Sequence, residues 1–121
     1  MIKGIKPGKS VKPGKQRKKI YFAKLHEKQR MLKVHLSKDL RTKLKKRALG
    51  VRKNDQVKVM RGKFKGKEGK VAEVDHKKLR VFINGITRKK VNGTEIMIPF
   101  NASKLLLVEI ESKDEKRLLN R

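Results

Sequence analysis

The chain of 121 residues contains no cysteine and no tryptophan, and it has only one tyrosine, four phenylalanines and three prolines. Without cysteine it has no disulfide, no thiolate ligand for zinc and no cysteine nucleophile. Residues 1–20 lack the apolar core of a signal peptide. The longest apolar run, residues 105–108, is too short to span a bilayer. These absences predict a soluble, intracellular protein without a membrane anchor.

Acidic residues are also scarce, because 11 Asp and Glu stand against 37 Lys and Arg, which leaves a formal net charge of +26. Charge of one sign at this density repels itself until a polyanion neutralises it, and a phosphate backbone is the usual partner. The first 50 residues carry 18 basic and 2 acidic residues. The composition therefore predicts a nucleic-acid-binding protein whose N-terminal part is the most strongly charged.

The residues that catalysis requires do not occur in a suitable arrangement. Residues 4–10 approach the pattern of a phosphate-binding loop but have one residue too few between the glycines. His26, His35 and His76 lack the spacing of metal ligands. Glu73 and Asp75 are a close carboxylate pair, which neighbouring cations explain better as a salt-bridged strand end. We predict no catalytic residue, no metal ligand, no cofactor and no small-molecule substrate.

The first 50 residues divide into two basic parts. Residues 1–20 repeat Lys-Pro-Gly-Lys twice, which predicts an RNA-binding tail that is disordered when the protein is free. Residues 21–50 predict a basic helical segment. It has Ser37 as a candidate N-cap, Gly50 as its C-cap, and an apolar stripe of Leu36, Leu40 and Leu44.

From residue 51 the apolar period changes to two, as in Val57 and Val59, which is typical of short strands. Asn92-Gly93 predicts a hairpin, and Asn84-Gly85 predicts a second turn or a bend. Residues 51–111 thus predict a small barrel of about five strands. Residues 112–121 predict a short C-terminal helix that opens with a capping box. The fold class is mainly β.

The most informative segment is residues 51–71, where a predicted strand runs into a loop with Gly62, Gly66 and Gly69. Glycine permits a positive φ and a close backbone approach to a polyanion. Basic residues at 61, 63, 65, 67 and 70 concentrate charge on this loop. Phe64 among them either stacks on a base or packs under the loop. The segment resembles the KOW motif, which occurs in an SH3-like barrel in several ribosomal proteins and in transcription elongation factors.

Flanking motifs narrow the resemblance. Lys-Gln-Arg-Lys at 15–18, Leu-Ser-Lys-Asp-Leu-Arg at 36–41, Val-Arg-Lys at 51–53 and Asn-Gly-Thr-Glu at 92–95 occur in this order. Together they resemble the archaeal and eukaryotic form of universal large-subunit ribosomal protein family twenty-four. The resemblance covers most of residues 15–121, and Asn54 stands where the family usually has glycine.

This resemblance implies a structural constituent of the large ribosomal subunit that binds large-subunit rRNA early in assembly and lies near the nascent-peptide tunnel exit. Its partners are then rRNA and neighbouring ribosomal proteins on cytoplasmic ribosomes, and it is not a homo-oligomer. We predict that RNA is contacted by the basic residues Lys9, Lys12, Lys15, Arg17, Lys18, Lys19, Lys24, His26, Arg30, Lys38, Arg41, Lys45, Arg47, Arg52, Lys53, Arg61, Lys63, Lys65, Lys67, Lys70, Lys89 and Lys90.

Two other binding functions remain as alternatives. A KOW domain of a transcription elongation factor contacts polymerase and usually accompanies a second, less basic domain, for which this chain has no room. A nonspecific chromatin protein is equally basic, but it needs no KOW-type hairpin, and residues 21–50 contain no recognisable DNA-reading motif.

Overall fold

The computed structural model describes residues 10–111 and 115–118. The N-terminal elements are α1 (Pro13–Phe22), α2 (Leu25–Met31), β1 (Lys33–Leu36), α3 (Lys38–Leu44) and β2 (Ala48–Gly50). They are followed by β3 (Gln56–Val59), β4 (Glu68–Asp75), β5 (Arg80–Lys89), β6 (Glu95–Phe100), a 3-10 helix (Ala102–Lys104), β7 (Leu105–Glu109) and α4 (Glu115–Leu118). The mainly β prediction is confirmed, with five strands between residues 51 and 111.

The seven strands of the described residues belong to one sheet in the order β2-β1-β7-β3-β4-β5-β6. Neighbouring strands are antiparallel except β1 and β7, which run parallel. Within the described residues, no pairing joins β6 back to β2. The structure therefore extends the expected five-stranded barrel to seven strands, and its hydrogen bonding does not close into a ring.

The structure corrects the prediction of a single helical segment over residues 21–50. Leu36 is the last residue of β1 and is fully buried, whereas Leu40 and Leu44 lie on α3. The four-residue spacing of these three leucines therefore does not mark one helix, because the first lies in a strand and the other two lie in the helix that follows it. β1 forms as a strand because β2 and β7 supply hydrogen-bond partners on both of its sides.

The ends of α3 are set locally. The Ser37 hydroxyl accepts a hydrogen bond from the Leu40 N–H at 3.4 Å, so the predicted N-cap is confirmed. The C-cap of α3 is Lys45, which has a φ of +52°. Gly50, the predicted C-cap, lies in β2.

Residues 13–20 also differ from the prediction of a disordered tail, because they form most of α1. Pro13 stands in the first turn, where its missing N–H has no partner to lose. The lysines and arginine that follow are good helix formers. No residue of α1 is buried. The part of the predicted tail before residue 10 lies outside the described residues.

Two predicted turns occupy the expected places. Between β5 and β6, the Gly93 N–H donates to the Lys90 carbonyl at 3.0 Å, which closes the predicted hairpin. Gly85 has a φ of +80° inside β5, where the pairing with β6 shifts register. Asn84-Gly85 is therefore a bend within a strand. Asn54, at the position where the resembled family has glycine, has a φ of +71°.

The core lies on one side of the sheet and draws on almost every strand. Its fully buried side chains are the alternating apolar residues of the strands, namely Val34, Leu36, Val57, Val59, Val71, Val81, Ile83, Leu105 and Leu107. Among the described residues, none of the helices combines the length and the apolar character that a membrane crossing requires.

Candidate nucleic-acid interface

Two glycines fold the loop that joins β3 to β4. Gly62 has a φ of +92° and Gly66 a φ of +88°, which side chains with a Cβ rarely tolerate. The Gly66 N–H donates to the Val59 carbonyl at 2.8 Å, and the Val59 N–H donates to the Lys67 carbonyl at 2.9 Å. The loop is closed at its base, and its basic side chains at 61, 63, 65 and 67 are all exposed.

The third glycine of the motif has another role. A Cβ on Gly69 would lie 2.7 Å from the Ile83 Cγ2 atom and 2.8 Å from the Asn84 carbonyl oxygen. The close approach for which glycine is needed at this position is therefore to β5, and not to a polyanion as the sequence suggested. The absence of a side chain at Gly69 allows β4 to pack closely against β5.

Phe64 anchors the loop to the fold. Its ring is partly buried against the core and meets the Phe100 ring edge to face, with 6.1 Å between ring centroids. The ammonium group of Lys67 lies 5.4 Å from the Phe64 centroid. Of the two alternatives for Phe64, packing under the loop is the one observed. The aromatic ring thus positions the cations around it.

The loop forms a basic cleft of about 200 Å³ with residues that are distant in the sequence. Arg61 and Lys63 line it from the loop, Arg80 from the start of β5, and Lys104 from the 3-10 helix. None of the described residues that line it is acidic. The Met60 N–H donates to the Lys104 carbonyl at 2.8 Å, which ties the loop to the 3-10 helix.

Arg80 and Lys104 were not predicted as RNA contacts. Lys104 stands alone in the sequence, and Arg80 belongs to a different basic cluster, with Lys77 and Lys78. Only the folding of β5 and the 3-10 helix against the loop brings Arg80 and Lys104 into the cleft. The Arg80 guanidinium donates to the Asn101 side-chain oxygen, so its position in the cleft is fixed. Four converging cations around a small concave surface suit a phosphate group.

Other predicted residues lie apart from this cleft. Lys70 is exposed on β4 and shares a shallow depression with Glu109 and Glu111, so carboxylates offset its charge. Lys89 and Lys90 are exposed at the β5–β6 hairpin. Arg80 is the first residue of β5, whereas Lys89 and Lys90 lie at its other end. One phosphate group therefore cannot contact both ends of the strand.

A second basic surface is formed by α1 and α2. The predicted residues here are all exposed, and they are Lys12, Lys15, Arg17, Lys18, Lys19, Lys24, His26 and Arg30. The Lys24 N–H donates to the Glu27 carboxylate at 3.1 Å, which caps α2. The Lys28 ammonium group donates to the Lys77 carbonyl at 3.3 Å and links α2 to the turn between β4 and β5. Lys9 lies outside the described residues.

A third basic surface surrounds α3 and β2. Its exposed predicted residues are Lys38, Lys45, Arg47, Arg52 and Lys53. Arg41 differs from them because it is partly buried, and its Nε–H donates to the Leu36 carbonyl at 2.9 Å. Arg41 thus holds α3 against β1. RNA contact by the residues of all three surfaces stays a prediction.

The turn between β4 and β5 is stabilised by Asp75. Its Oδ1 atom accepts hydrogen bonds from the Lys78 N–H at 3.1 Å and the Lys77 N–H at 2.9 Å. The hydrogen bond from the Lys78 backbone, then that from Lys77 and the two lysine charges, lower the pKa of the Asp75 carboxyl below its ordinary value. The carboxylate that sequence analysis assigned to a strand end is therefore a turn cap.

Within residues 10–111 and 115–118, no three His, Cys, Asp or Glu side chains are grouped in a way that could hold a metal ion. The surface chemistry of this part of the chain is dominated by ammonium and guanidinium groups. Such groups bind phosphates.

Comparison with known proteins identifies the family. A family model that describes the eukaryotic ribosomal proteins L26 and their archaeal L24 counterparts matches residues 10–121. The chain is also similar to the large ribosomal subunit protein uL24 of Korarchaeum cryptofilum (strain OPF8), with 44% identity over 115 residues. That alignment covers 93% of this chain and 88% of the relative.

Proposed function

The chain belongs to the L26 family of eukaryotic and archaeal ribosomal proteins, and we propose that it binds large-subunit rRNA directly, early in assembly, close to the nascent-peptide tunnel exit. Its membership makes it a structural, non-catalytic constituent of the large ribosomal subunit. In the cytoplasm it is bound to the ribosome, among rRNA and other ribosomal proteins.

Direct binding of RNA is supported above all by the cleft between the β3–β4 loop and the 3-10 helix. Arg61, Lys63, Arg80 and Lys104 line it, and no carboxylate of the described residues lies beside them to relieve their mutual repulsion. A phosphate of the RNA backbone relieves that repulsion and releases counterions as it binds. The loop backbone is held by the hydrogen bonds of Val59 with Gly66 and Lys67 and by the packed ring of Phe64, so little backbone entropy is lost on binding.

Early binding is supported by the separation of the basic surfaces. The cleft, the surface of α1 and α2, and the surface of α3 and β2 lie on different elements of one chain. Once one surface has bound, the other contacts become effectively intramolecular, and the combined affinity exceeds that of any single surface. A single protein of this kind can hold separate RNA segments before neighbouring proteins arrive.

The position near the tunnel exit rests on family membership alone. The test is crosslinking from a photoreactive group placed in a nascent chain that has just emerged from a stalled ribosome. We expect the crosslink to reach this protein, and a nascent chain that is still enclosed in the tunnel serves as the control. Crosslinks to other proteins only would contradict the proposed position.

Direct and early binding are tested by chemical footprinting of naked large-subunit rRNA with the purified protein. We expect protection of at least two RNA segments that are distant in sequence. Replacing Arg61, Lys63, Arg80 and Lys104 with Gln should abolish one of them, and removing residues 1–22 should abolish only part of the pattern. The matched control is replacement of Lys89 and Lys90 with Gln, which should leave the cleft-dependent segment protected. Protection only after other ribosomal proteins are added would contradict an early role.

A further inference from the structure

Two aromatic rings are exposed side by side at the end of α1. The Tyr21 side chain is 78% exposed and that of Phe22 is 68% exposed. Their ring centroids lie 5.1 Å apart, edge to face. Phe64 and Phe100, in contrast, pack against each other at the core. Contiguous exposed apolar surface with charged residues around it marks a contact with another molecule.

The charge around the two rings identifies the kind of partner. Helix α1 carries Lys15, Arg17, Lys18 and Lys19 and no acidic residue. The Lys18 ammonium group lies 5.9 Å from the centroid of the Phe22 ring. A protein partner that only covered two aromatic rings would have to desolvate these cations or pair each of them. A single-stranded polyanion with flat apolar bases satisfies the rings and the cations together.

We propose that Tyr21 and Phe22 form a stacking site for unpaired bases of RNA, with the lysines of α1 holding the adjoining phosphates. The inference rests on the proposed rRNA binding and adds the class of nucleotide that this surface takes. Paired bases are excluded, because a duplex presents only the edges of its bases in the grooves and buries their faces in the stack. Helix α1 thus selects single-stranded loops or bulges, whereas the cleft at the β3–β4 loop takes backbone phosphates of any strand.

The chain contains the probe for this test. Tyr21 is its only tyrosine and it has no tryptophan, so tyrosine emission reports on this one side chain. A single-stranded RNA of about 16 nucleotides should quench the emission in proportion to binding, with binding followed separately by the anisotropy of labelled RNA. A duplex of the same length should bind with much less quenching. Free tyrosine amide in the same RNA solutions corrects for light absorbed by the RNA.

Substitutions separate stacking from a purely structural role. Tyr21→Leu and Phe22→Leu keep an apolar, helix-forming side chain and remove the ring. Each should weaken binding of the single strand about tenfold and change duplex binding by less than about twofold. Ile20→Ala is the matched control, since Ile20 is 46% exposed on the same helix and has no ring. Its binding to both RNAs should equal that of the unaltered chain.

Several results would overturn the inference. Bound single-stranded RNA with unchanged Tyr21 emission, or unchanged affinity in both leucine variants, would show that no base stacks there while leaving rRNA binding intact. Equal weakening for single strand and duplex would show that the rings only support α1. Leucine variants that bind RNA normally but fail to enter the subunit would assign the rings to a protein partner. If neither RNA binds the unaltered chain, the result contradicts the proposed direct binding of rRNA and, with it, the proposed stacking site.

Discussion

The guanidinium group of Arg117 in α4 contacts both carboxylate oxygens of Asp55, the residue before β3, with Nη1 and Oδ1 2.8 Å apart. The Asp55 side chain is fully buried, and that of Arg117 is 5% exposed. Asp55 also accepts the Arg52 N–H at 2.8 Å, and Arg117 donates to the Gly50 carbonyl at 2.7 Å. One buried ion pair therefore joins the C-terminal helix to β2 and to the turn that precedes β3.

We expect Arg117→Leu to lower the free energy of unfolding by about 3–5 kcal/mol, because it leaves the Asp55 carboxylate buried without its cation. Urea unfolding followed by circular dichroism measures the change. The matched control is Glu68→Gln, which breaks the exposed pair of Lys58 and Glu68, 2.8 Å apart. It should cost less than about 1 kcal/mol. Similar losses in both variants would contradict a structural role for the buried pair.

The strands after residue 51 could be predicted because their pattern is local. Val57 and Val59 in β3, and Val81 and Ile83 in β5, are buried while the residues between them are not. Burial on one face of a strand leaves a period of two in the sequence. The β3–β4 loop could also be predicted from a local pattern, because its glycines are residues that turns prefer.

The features that sequence analysis missed depend on contacts between distant residues. β1 is only four residues long, and its parallel partner β7 lies about seventy residues further along the chain, so the pairing leaves no local pattern. The same holds for Arg117 and Asp55, which are 62 residues apart in the sequence. Arg80 and Lys104 meet the loop only after β5 and the 3-10 helix have folded against it.

The β3–β4 hairpin separates residues that stabilise the fold from residues that bind RNA. Val59 is 1% exposed, so Val59→Asp places an unpaired carboxylate in the core and should unfold the domain, at a cost of several kcal/mol. Replacing Lys63, Lys65 and Lys67 with Gln should leave the melting temperature nearly unchanged and weaken RNA binding. Equal loss of melting temperature in both variants would mean that the loop belongs to the core.

Gly69 and Gly14 offer a matched pair of substitutions. Gly69→Ala places a Cβ within 2.8 Å of two atoms of β5 and should destabilise the fold by about 1–3 kcal/mol. Gly14 lies in α1 with no atom within 4 Å of a Cβ. Gly14→Ala should raise the helix content without destabilising the sheet. Thermal unfolding and far-ultraviolet circular dichroism measure both effects, and a neutral Gly69→Ala would contradict the close approach to β5.

Asp75 should make the stability of the β4–β5 turn depend on pH. Its pKa is lowered in the folded protein by the hydrogen bond from the Lys78 backbone and then by that from Lys77. A carboxyl whose folded pKa is depressed stabilises the fold above its unfolded pKa, and this contribution is lost as the pH falls through the folded pKa. The urea midpoint of the unaltered chain should therefore fall more steeply on acidification than that of Asp75→Asn. Parallel curves would contradict the assignment of Asp75 as a charged turn cap.

Exposed lysines and arginines are expected to bind the phosphates of naked large-subunit rRNA directly, and the salt dependence of the affinity is the most direct test of this binding. If about eight phosphates are contacted, the logarithm of the binding constant should fall linearly with the logarithm of salt concentration, with a slope of about −6. Replacing Arg61, Lys63, Arg80 and Lys104 with Gln should make this slope shallower by about 0.7–0.9, because the one phosphate in the cleft is no longer neutralised. A filter-binding titration of the purified full chain provides the measurement. A slope shallower than about −2 for the unaltered chain, or no binding until other ribosomal proteins are added, would contradict the account.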